Sequence, residues 1–250
     1  MSIKYFDVLE KLPSNIVPFG LGNNYFPKTW LSDKNGDNIS DLNQFFGEAT
    51  GMYWIWKNYM NNFTDNDRIG FCQYRRLWLN QLFEKKQKNS LSSLYSNLIK
   101  SDNSIFLSSE TVLLEPTEFS SYNLLEQFDK LYVKDVLSNC VDFVKDKDRN
   151  DFKKFLQGNK LSICNMFITK PSLFKLYCDD MFSFINQCYR YCDKEKLLMR
   201  NNLRLPIFMV ERFTSFWFHK NTNVSYLSYA QLNNFDMSSK ETEALINKRA

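Results

Sequence analysis

One histidine, His219, occurs in the whole chain, and its seven glycines form neither GxGxxG nor GxxxxGK[ST]. Serine–histidine and cysteine–histidine catalysis, multi-histidine metal sites and Gly-rich phosphate cradles are thereby set aside. Chemistry here falls to carboxylates, arginines and amides, and three places offer them inside runs that otherwise ask for burial. "IGFCQYRRLWLN", Ile69 to Asn80, sets Gln73, Tyr74, Arg75 and Arg76 between apolar flanks. Neighbours on a strand point to opposite faces, and on a helix they sit about 100° apart, so the two guanidiniums cannot share one smooth solvated face. At least one is expected to enter a cleft; the competing reading is an edge strand with a charged exit. "LSICNMFITK" puts Asn165 in an apolar strand, where an amide either binds a ligand or satisfies backbone groups. "PIFMVERFTSFWFHKN" puts Glu211 beside Arg212 in an apolar helix. A partly buried carboxylate there suits a general base, or else forms a Glu–Arg pair that orients the helix. His219 reads as a capped or surface side chain.

The elements that must position these groups follow from periodicity and turn chemistry. Residues 1–30, with Pro13, Pro18, Gly20, Gly22 and Pro27, read as strand and loop. "SDKNGDNIS" is a polar turn around Asn35-Gly36. "LNQFFGEATGMYWIWKNYMNNF" carries Phe45, Ala49, Met52 and Trp56 at helical spacing and reads as one buried helix, with Gly47 and Gly51 admitting a neighbouring backbone or a ligand. Arg68 to Cys72 is a short buried strand, "EKKQKNS" a solvated linker and "LSSLYSNLI" a short helix. "SIFLSSETVLLEP" reads as strand, turn, strand. Tyr122 to about Leu156 is helical, Leu173 to about Tyr191 a long helix, and the tail from Ser238 a loosely packed turn or two. Short strands alternating with longer helices give an α/β class.

Composition bounds the function. At 44% hydrophobic and 16% aromatic, the 250 residues supply core for one sizeable domain. A net charge of +4 suits an anionic ligand or an acidic membrane surface but is too small to imply nucleic acid, and the aromatics follow core spacing rather than interleaving with basic residues. Six cysteines form no CxxC pair and read as reduced thiols of a cytoplasmic protein, against a zinc site. The first residues are no signal peptide, and no apolar run approaches the ~18 residues of a bilayer span.

Four blocks in order, "DKNGDNISDLNQFFGEATGMYWIWKN", "IGFCQYRR", "CNMFITKPSLFKLYC" and "VERF", resemble a bacterial glycosyltransferase family of capsule and O-antigen clusters, long known only as a domain of unknown function. Its members carry D-x-x-G-D-N-I-S, a helix with E-L-T-x-x-Y-W-x-W-K-N, a His-Tyr-Arg-Arg strand end, Asn-Met-Phe-Ile and Ala-Glu-Arg, and some are galactofuranosyltransferases. Here Gln73 stands at the family's histidine, Ala49 at its leucine, and Phe6 to Lys11 where a His-Lys is usual. Gln73 removes any role that needs imidazole.

The resemblance implies a GT-A-like α/β fold with a short central sheet flanked by helices, in one domain over residues 1–237: a donor-binding half to about 115, an acceptor-side helical half from about 116, and a peripheral tail over 238–250. It implies transfer of a hexose, galactose or galactofuranose among them, from a UDP-sugar to a glycan or lipid-linked glycan of a surface polysaccharide. The work would be done in the cytoplasm at the inner face of the membrane, with peripheral membrane contact and partner glycosyltransferases. In that setting Arg75 and Arg76 become diphosphate clamps, bidentate guanidiniums doing what a metal on Asp-x-Asp does elsewhere, so no cofactor is required, though Mg²⁺ or Mn²⁺ is not barred. The alternative for them is a structural ion pair. Asp33, Asp37 and Asn38 match the donors and acceptors of uracil and ribose, or bond their own turn. Glu48, Trp54, Lys57, Gln73 and Tyr74 join them on the donor side, Trp54 by stacking; Asn165 and Arg212 serve the acceptor side, and Glu211 the base. Asp65 and Asp67 read as solvated loop charge. The competing function is a binding module of the same fold that has lost catalysis.

Overall fold

The computed structural model describes residues 6–80, 91–199 and 202–232; the linker at 84–90 and the tail from 238 lie outside the described residues. In chain order, α1 (Phe6–Leu9) precedes a parallel pair of two-residue strands, β1 (Phe19–Gly20) and β2 (Leu31–Ser32). Then come α2 (Asn43–Phe46), α3 (Ala49–Asn58), β3 (Ile69–Phe71), β4 (Arg76–Trp78), α4 (Leu91–Asn97), α5 (Ile105–Ser108), β5 (Thr111–Leu114) and β6 (Thr117–Glu118). The second half holds α6 (Leu124–Leu131), α7 (Val136–Cys140), α8 (Asp146–Leu156), β7 (Lys160–Leu161), β8 (Phe167–Thr169), α9 (Pro171–Lys194), α10 (Leu205–Asn221), β9 (Val224–Leu227) and β10 (Tyr229–Gln231).

The central sheet runs β3-β8-β5-β9, so it takes two strands from each half of the chain. β8 is antiparallel to both neighbours, and β5 and β9 are parallel. Successive side chains on a strand face opposite ways. Leu113 and Phe167 enter the large core with α9 and α10, whereas Val112, Leu114 and Ile168 pack on the other face with Trp78, Ile99 and Leu227. The register sets Thr111 against Thr169, whose buried hydroxyls pair at 2.7 Å and leave no polar group unsatisfied. Pro171 opens α9, where its missing N–H costs nothing. Phe174, Tyr177, Cys178, Met181, Ile185, Cys188 and Cys192 then recur at helical spacing and bury one stripe of it against α10.

β3, β5, β8 and the long helices match the sequence pattern; β9 was not expected from it, and the other differences lie at the breaks. The helix expected as one piece is split into α2 and α3 at Gly47, which has φ +51°. A Cβ there would lie 2.2 Å from Nη2 of Arg204, a collision no local pattern announces. The first half of "SIFLSSETVLLEP" is α5, not a strand: the Asn103 side chain accepts the Ile105 N–H at 2.9 Å, and the Ser109 hydroxyl donates to the Ile105 carbonyl at 2.8 Å. The helical stretch from 122 is three pieces. A capping box of Asn123 and Glu126 starts α6, and Asp135 at φ +64° separates it from α7.

Candidate active site

The interruption at Asn165 is a left-handed turn: Cys164 has φ +76° and Asn165 φ +50°. Such a conformation costs a non-glycine residue energy, so the surroundings must hold it. Glu211 Oε1 accepts the Cys164 N–H at 2.5 Å, and Gln73 Nε2 donates to the Cys164 carbonyl at 3.1 Å. Asn165, 4% exposed, donates through Nδ2 to Glu48 Oε1 at 2.8 Å, and its Oδ1 accepts from the Thr214 hydroxyl at 3.0 Å. Tyr177 Oη lies 2.7 Å from the same hydroxyl. One turn between β7 and β8 thus gathers Gln73, Glu48 and Glu211 from three distant parts of the chain.

The two carboxylates differ in character. Glu211 places Oε2 2.9 Å from Nη1 of Arg212, whose side chain is 1% exposed and is also held by the Phe208 carbonyl and the Gln127 amide oxygen. A guanidinium that deep needs its carboxylate, because an unpaired buried charge is strongly destabilising. Glu211 does not line the cleft described below. Glu211 thus braces the Cys164 turn and pairs with Arg212, the contacts of the second reading that the sequence left open for it. Glu48, just before α3, does line the cleft, and Nη2 of Arg204 reaches its Oε2 at 3.0 Å. Burial pushes the Glu48 carboxyl above its ordinary range, opposed by the Asn165 hydrogen bond and by Arg204. Burial likewise pushes the Cys164 thiol up to about 12, so it is no nucleophile.

Gln73 to Arg76 form a tight turn between β3 and β4, closed by the Arg76 N–H on the Gln73 carbonyl at 2.9 Å. Arg76 also donates to the Gln73 side chain, which is thereby engaged at both ends. Arg75 lies against the Tyr74 ring and Arg76 against Tyr229, and the Nε of each is buried with no hydrogen-bond partner among the described residues. Gln73 and Tyr74 line the cleft, but neither Arg75 nor Arg76 does, so the expected entry of a guanidinium into a cleft is not seen.

That cleft, about 1180 Å³, runs from Glu48 and Asn165 past Gly51 and Ile55 on α3 and Tyr59 just beyond it to Arg68, Lys100 and Lys170. Asp65 and Asp67, expected as solvated loop charge, line it. Asp67 caps its own turn by accepting the Thr64 N–H at 2.7 Å and hydroxyl at 2.8 Å, which lowers its pKa. Among the described residues no group of three His, Cys, Asp or Glu could hold a metal ion.

The remaining expected donor-side residues are held elsewhere. Asp33 is fully buried and both its oxygens take the Gly22 N–H, at 3.0 and 3.2 Å, leaving no surface for a ribose. Asn38 bonds the carbonyls of Lys34 and Gly36 and accepts from Ser40, as an Asx turn does. Asp37 accepts from the Tyr53 hydroxyl at 3.0 Å. Trp54 Nε1 donates to the Asn35 carbonyl at 2.7 Å and its ring stacks on Tyr59, while Lys57 sits 3.5 Å over the Trp56 ring. Asp37 through Tyr53 and the Asn35 carbonyl through Trp54 pin the turn to α3, and none of Asp33, Asp37, Asn38, Trp54 and Lys57 lines the cleft. His219 bonds the Ser215 carbonyl and Tyr226, a capped side chain as expected. Sequence reading missed Arg204, Gln127, Tyr132 and Thr214. Burial raises the Tyr132 pKa, opposed by Arg212. None of the four stands out against its flanks.

The mixed α/β scaffold, a short central sheet flanked by helices consistent with a GT-A-like fold, carries a polar network at the rim of the cleft. The fold matches that of WbbM, a bifunctional glycosyltransferase solved in its apo form, with a TM-score of 0.71 and 20% sequence identity over 88% of this chain. The match covers 43% of WbbM, so the chain spans less than half of that protein. No curated protein matches in sequence. Residues 5–222 match the family model described as Domain of unknown function (DUF4422), and the chain belongs to that family. Among the described residues no helix is long and apolar enough to cross a membrane.

Proposed function

We propose that this chain is a glycosyltransferase that moves a hexose, galactose or galactofuranose, from a UDP-sugar to a lipid-linked surface polysaccharide of capsule or O-antigen type. The observation that carries the reading is the Gln73–Arg76 turn. Two adjacent guanidiniums, each with a buried Nε and no partner for it among the described residues, lie against Tyr74 and Gln73, which line a cleft large enough for a nucleotide sugar. Transfer from a sugar nucleotide builds negative charge on the departing diphosphate, and a guanidinium meets two of its oxygens at once. The glycosyltransferase fold of WbbM and the ordered sequence blocks support the same reading. A glycan acceptor would approach the rim at Asn165 and Arg204. The net charge of +4 suits work at an acidic membrane surface, on the cytoplasmic side, beside other glycosyltransferases.

Titration calorimetry with UDP, GDP and CMP tests it. UDP is expected to bind, and Arg75→Ala or Arg76→Ala to weaken UDP by roughly 2–4 kcal/mol, as for truncating one partner of a desolvated charge pair. A wild-type chain that binds none of the three removes the reading. Wild-type affinity in both mutants removes the clamp. Binding without sugar transfer leaves the non-catalytic module.

A further inference from the structure

We infer that Glu48 is the general base of this site, the group that takes the proton from the acceptor hydroxyl, with Asn165 and Arg204 as the residues that position it. The inference rests on the glycosyltransferase reading and adds the catalytic residue to it.

The argument is one of access and supply. A base must reach the substrate with a free lone pair. Glu48 is the glutamate of the network that lines the cleft, and its side chain is 24% exposed. Asn165 occupies one site on Oε1 and Arg204 one on Oε2. A carboxylate offers about four such sites, so lone pairs remain for a hydroxyl. Glu211 has its two oxygens on a backbone N–H and on an arginine that cannot be left alone. Arg204, by contrast, is about half exposed, so its pairing with Glu48 is weak and adjustable.

The charge environment fits the task. The groups facing Glu48 are Arg204 at the start of α10, Asn165 from the β7–β8 turn, and Glu211 further along α10. Burial and Glu211 raise its affinity for a proton; Asn165 and Arg204 lower it. The balance lies above a free carboxyl, which is where a carboxylate base works best near neutral pH. Asn165 is held from its other side by Thr214, so Glu48 Oε1 points one way. The proton moves from the acceptor oxygen to a Glu48 oxygen as the acceptor oxygen bonds the sugar carbon and the bond to the diphosphate breaks; the pair of electrons leaves on the diphosphate.

The test measures UDP release from UDP-galactose and UDP-galactofuranose with a lipid-linked galactoside acceptor, across pH, on the full chain. Calorimetry with UDP is run on the same preparations. Glu48→Gln is expected to bind UDP as the wild type does, to lose roughly 10²–10⁴-fold in kcat, and to lose the acid limb of the profile. Arg204→Met, a half-exposed position, is expected to move that limb to higher pH, and Glu211→Gln, which removes a carboxylate that raises the Glu48 pKa, to retain the limb and move it to lower pH. A wild-type chain that neither binds UDP nor transfers removes the proposed function and this inference together. Binding without transfer in the wild type removes both as well and leaves the non-catalytic module, whereas transfer by Glu48→Gln at the wild-type rate with its acid limb intact overturns this inference alone. If Glu48→Gln does not fold, an unmoved acid limb in Arg204→Met overturns it as well.

Discussion

Asn165 Nδ2 lies 2.8 Å from Glu48 Oε1, a hydrogen bond between residues 117 apart in the chain. It ties the left-handed turn between β7 and β8 to the start of α3, and through Thr214 it reaches α10. The polar rim of the cleft depends on one buried amide with a donor and an acceptor facing different partners. Alanine offers neither group, and aspartate offers no donor.

Asn165→Ala leaves a Glu48 oxygen and the Thr214 hydroxyl without their partner and keeps the left-handed backbone. A buried polar group left unpaired costs about 1–3 kcal/mol, and alanine tolerates φ +50° less well than asparagine. The urea midpoint is expected to fall accordingly, with an unchanged slope. Asn165→Asp is expected to lose more, because it sets a second carboxylate against Glu48. An alanine variant with a wild-type midpoint would show that the turn is held by its backbone contacts alone.

Gly47 offers a cleaner steric test. Its φ of +51° with ψ −129° lies outside the left-handed helical region that asparagine and aspartate tolerate, so any side chain costs about 1–3 kcal/mol, and an added Cβ would lie 2.2 Å from Arg204 Nη2. Gly47→Ala therefore carries a backbone cost and a collision. In an Arg204→Ala background only the backbone cost should remain, so the two substitutions are expected to be non-additive in a double-mutant cycle. Additivity within error would show that Arg204 swings clear at no cost.

How far the sequence revealed the site depends on the range of each interaction. The apolar periodicity of α9, α10, β3, β5 and β8 is local and strong, so those elements could be placed before the structure. Asn165 and Glu211 were conspicuous for a local reason as well, a polar group in an apolar run. Their partners were not legible. Arg204 meets Glu48 across 156 residues, and Gln73 meets Cys164 across 91. Asp33 matched a ribose or its own turn by residue type alone, and its burial against the Gly22 amide, across 11 residues, was not legible. Asp65 and Asp67 are exposed loop charge as expected; that they also line the cleft was not legible.

Metal dependence is a separate question with a direct answer. The strand end after β3 offers Gln73, Tyr74, Arg75 and Arg76, and the Gln73 amide is engaged by Cys164 and Arg76. With guanidiniums to meet the diphosphate, transfer is expected to persist in EDTA at close to its full rate. Loss of turnover in EDTA that added Mn²⁺ restores would assign the diphosphate to an ion instead. Asp65 and Asp67, which line the cleft, would then be the first positions to replace.

Glu48 also carries a prediction about stability alone. Burial raises its pKa above the ordinary 4.5, so the folded chain holds this proton more tightly than the unfolded chain does. Between the two values the native state binds more protons, and by linkage the contribution of Glu48 to stability falls as pH rises through that window. Above it the folded protein holds a partly desolvated carboxylate at a net cost. Glu48→Gln keeps an oxygen for Asn165 and removes the ionisation. It is therefore expected to unfold at a higher urea concentration than the wild type at pH 7, with the difference shrinking as the pH drops below about 4.5. A residue that weakens the fold when ionised, placed where a cleft needs a carboxylate, is the pattern expected of a functional group rather than a structural one. If Glu48→Gln is instead less stable than the wild type at pH 7 and equal to it in acid, the Arg204 ion pair outweighs desolvation and Glu48 is a structural anchor of α3.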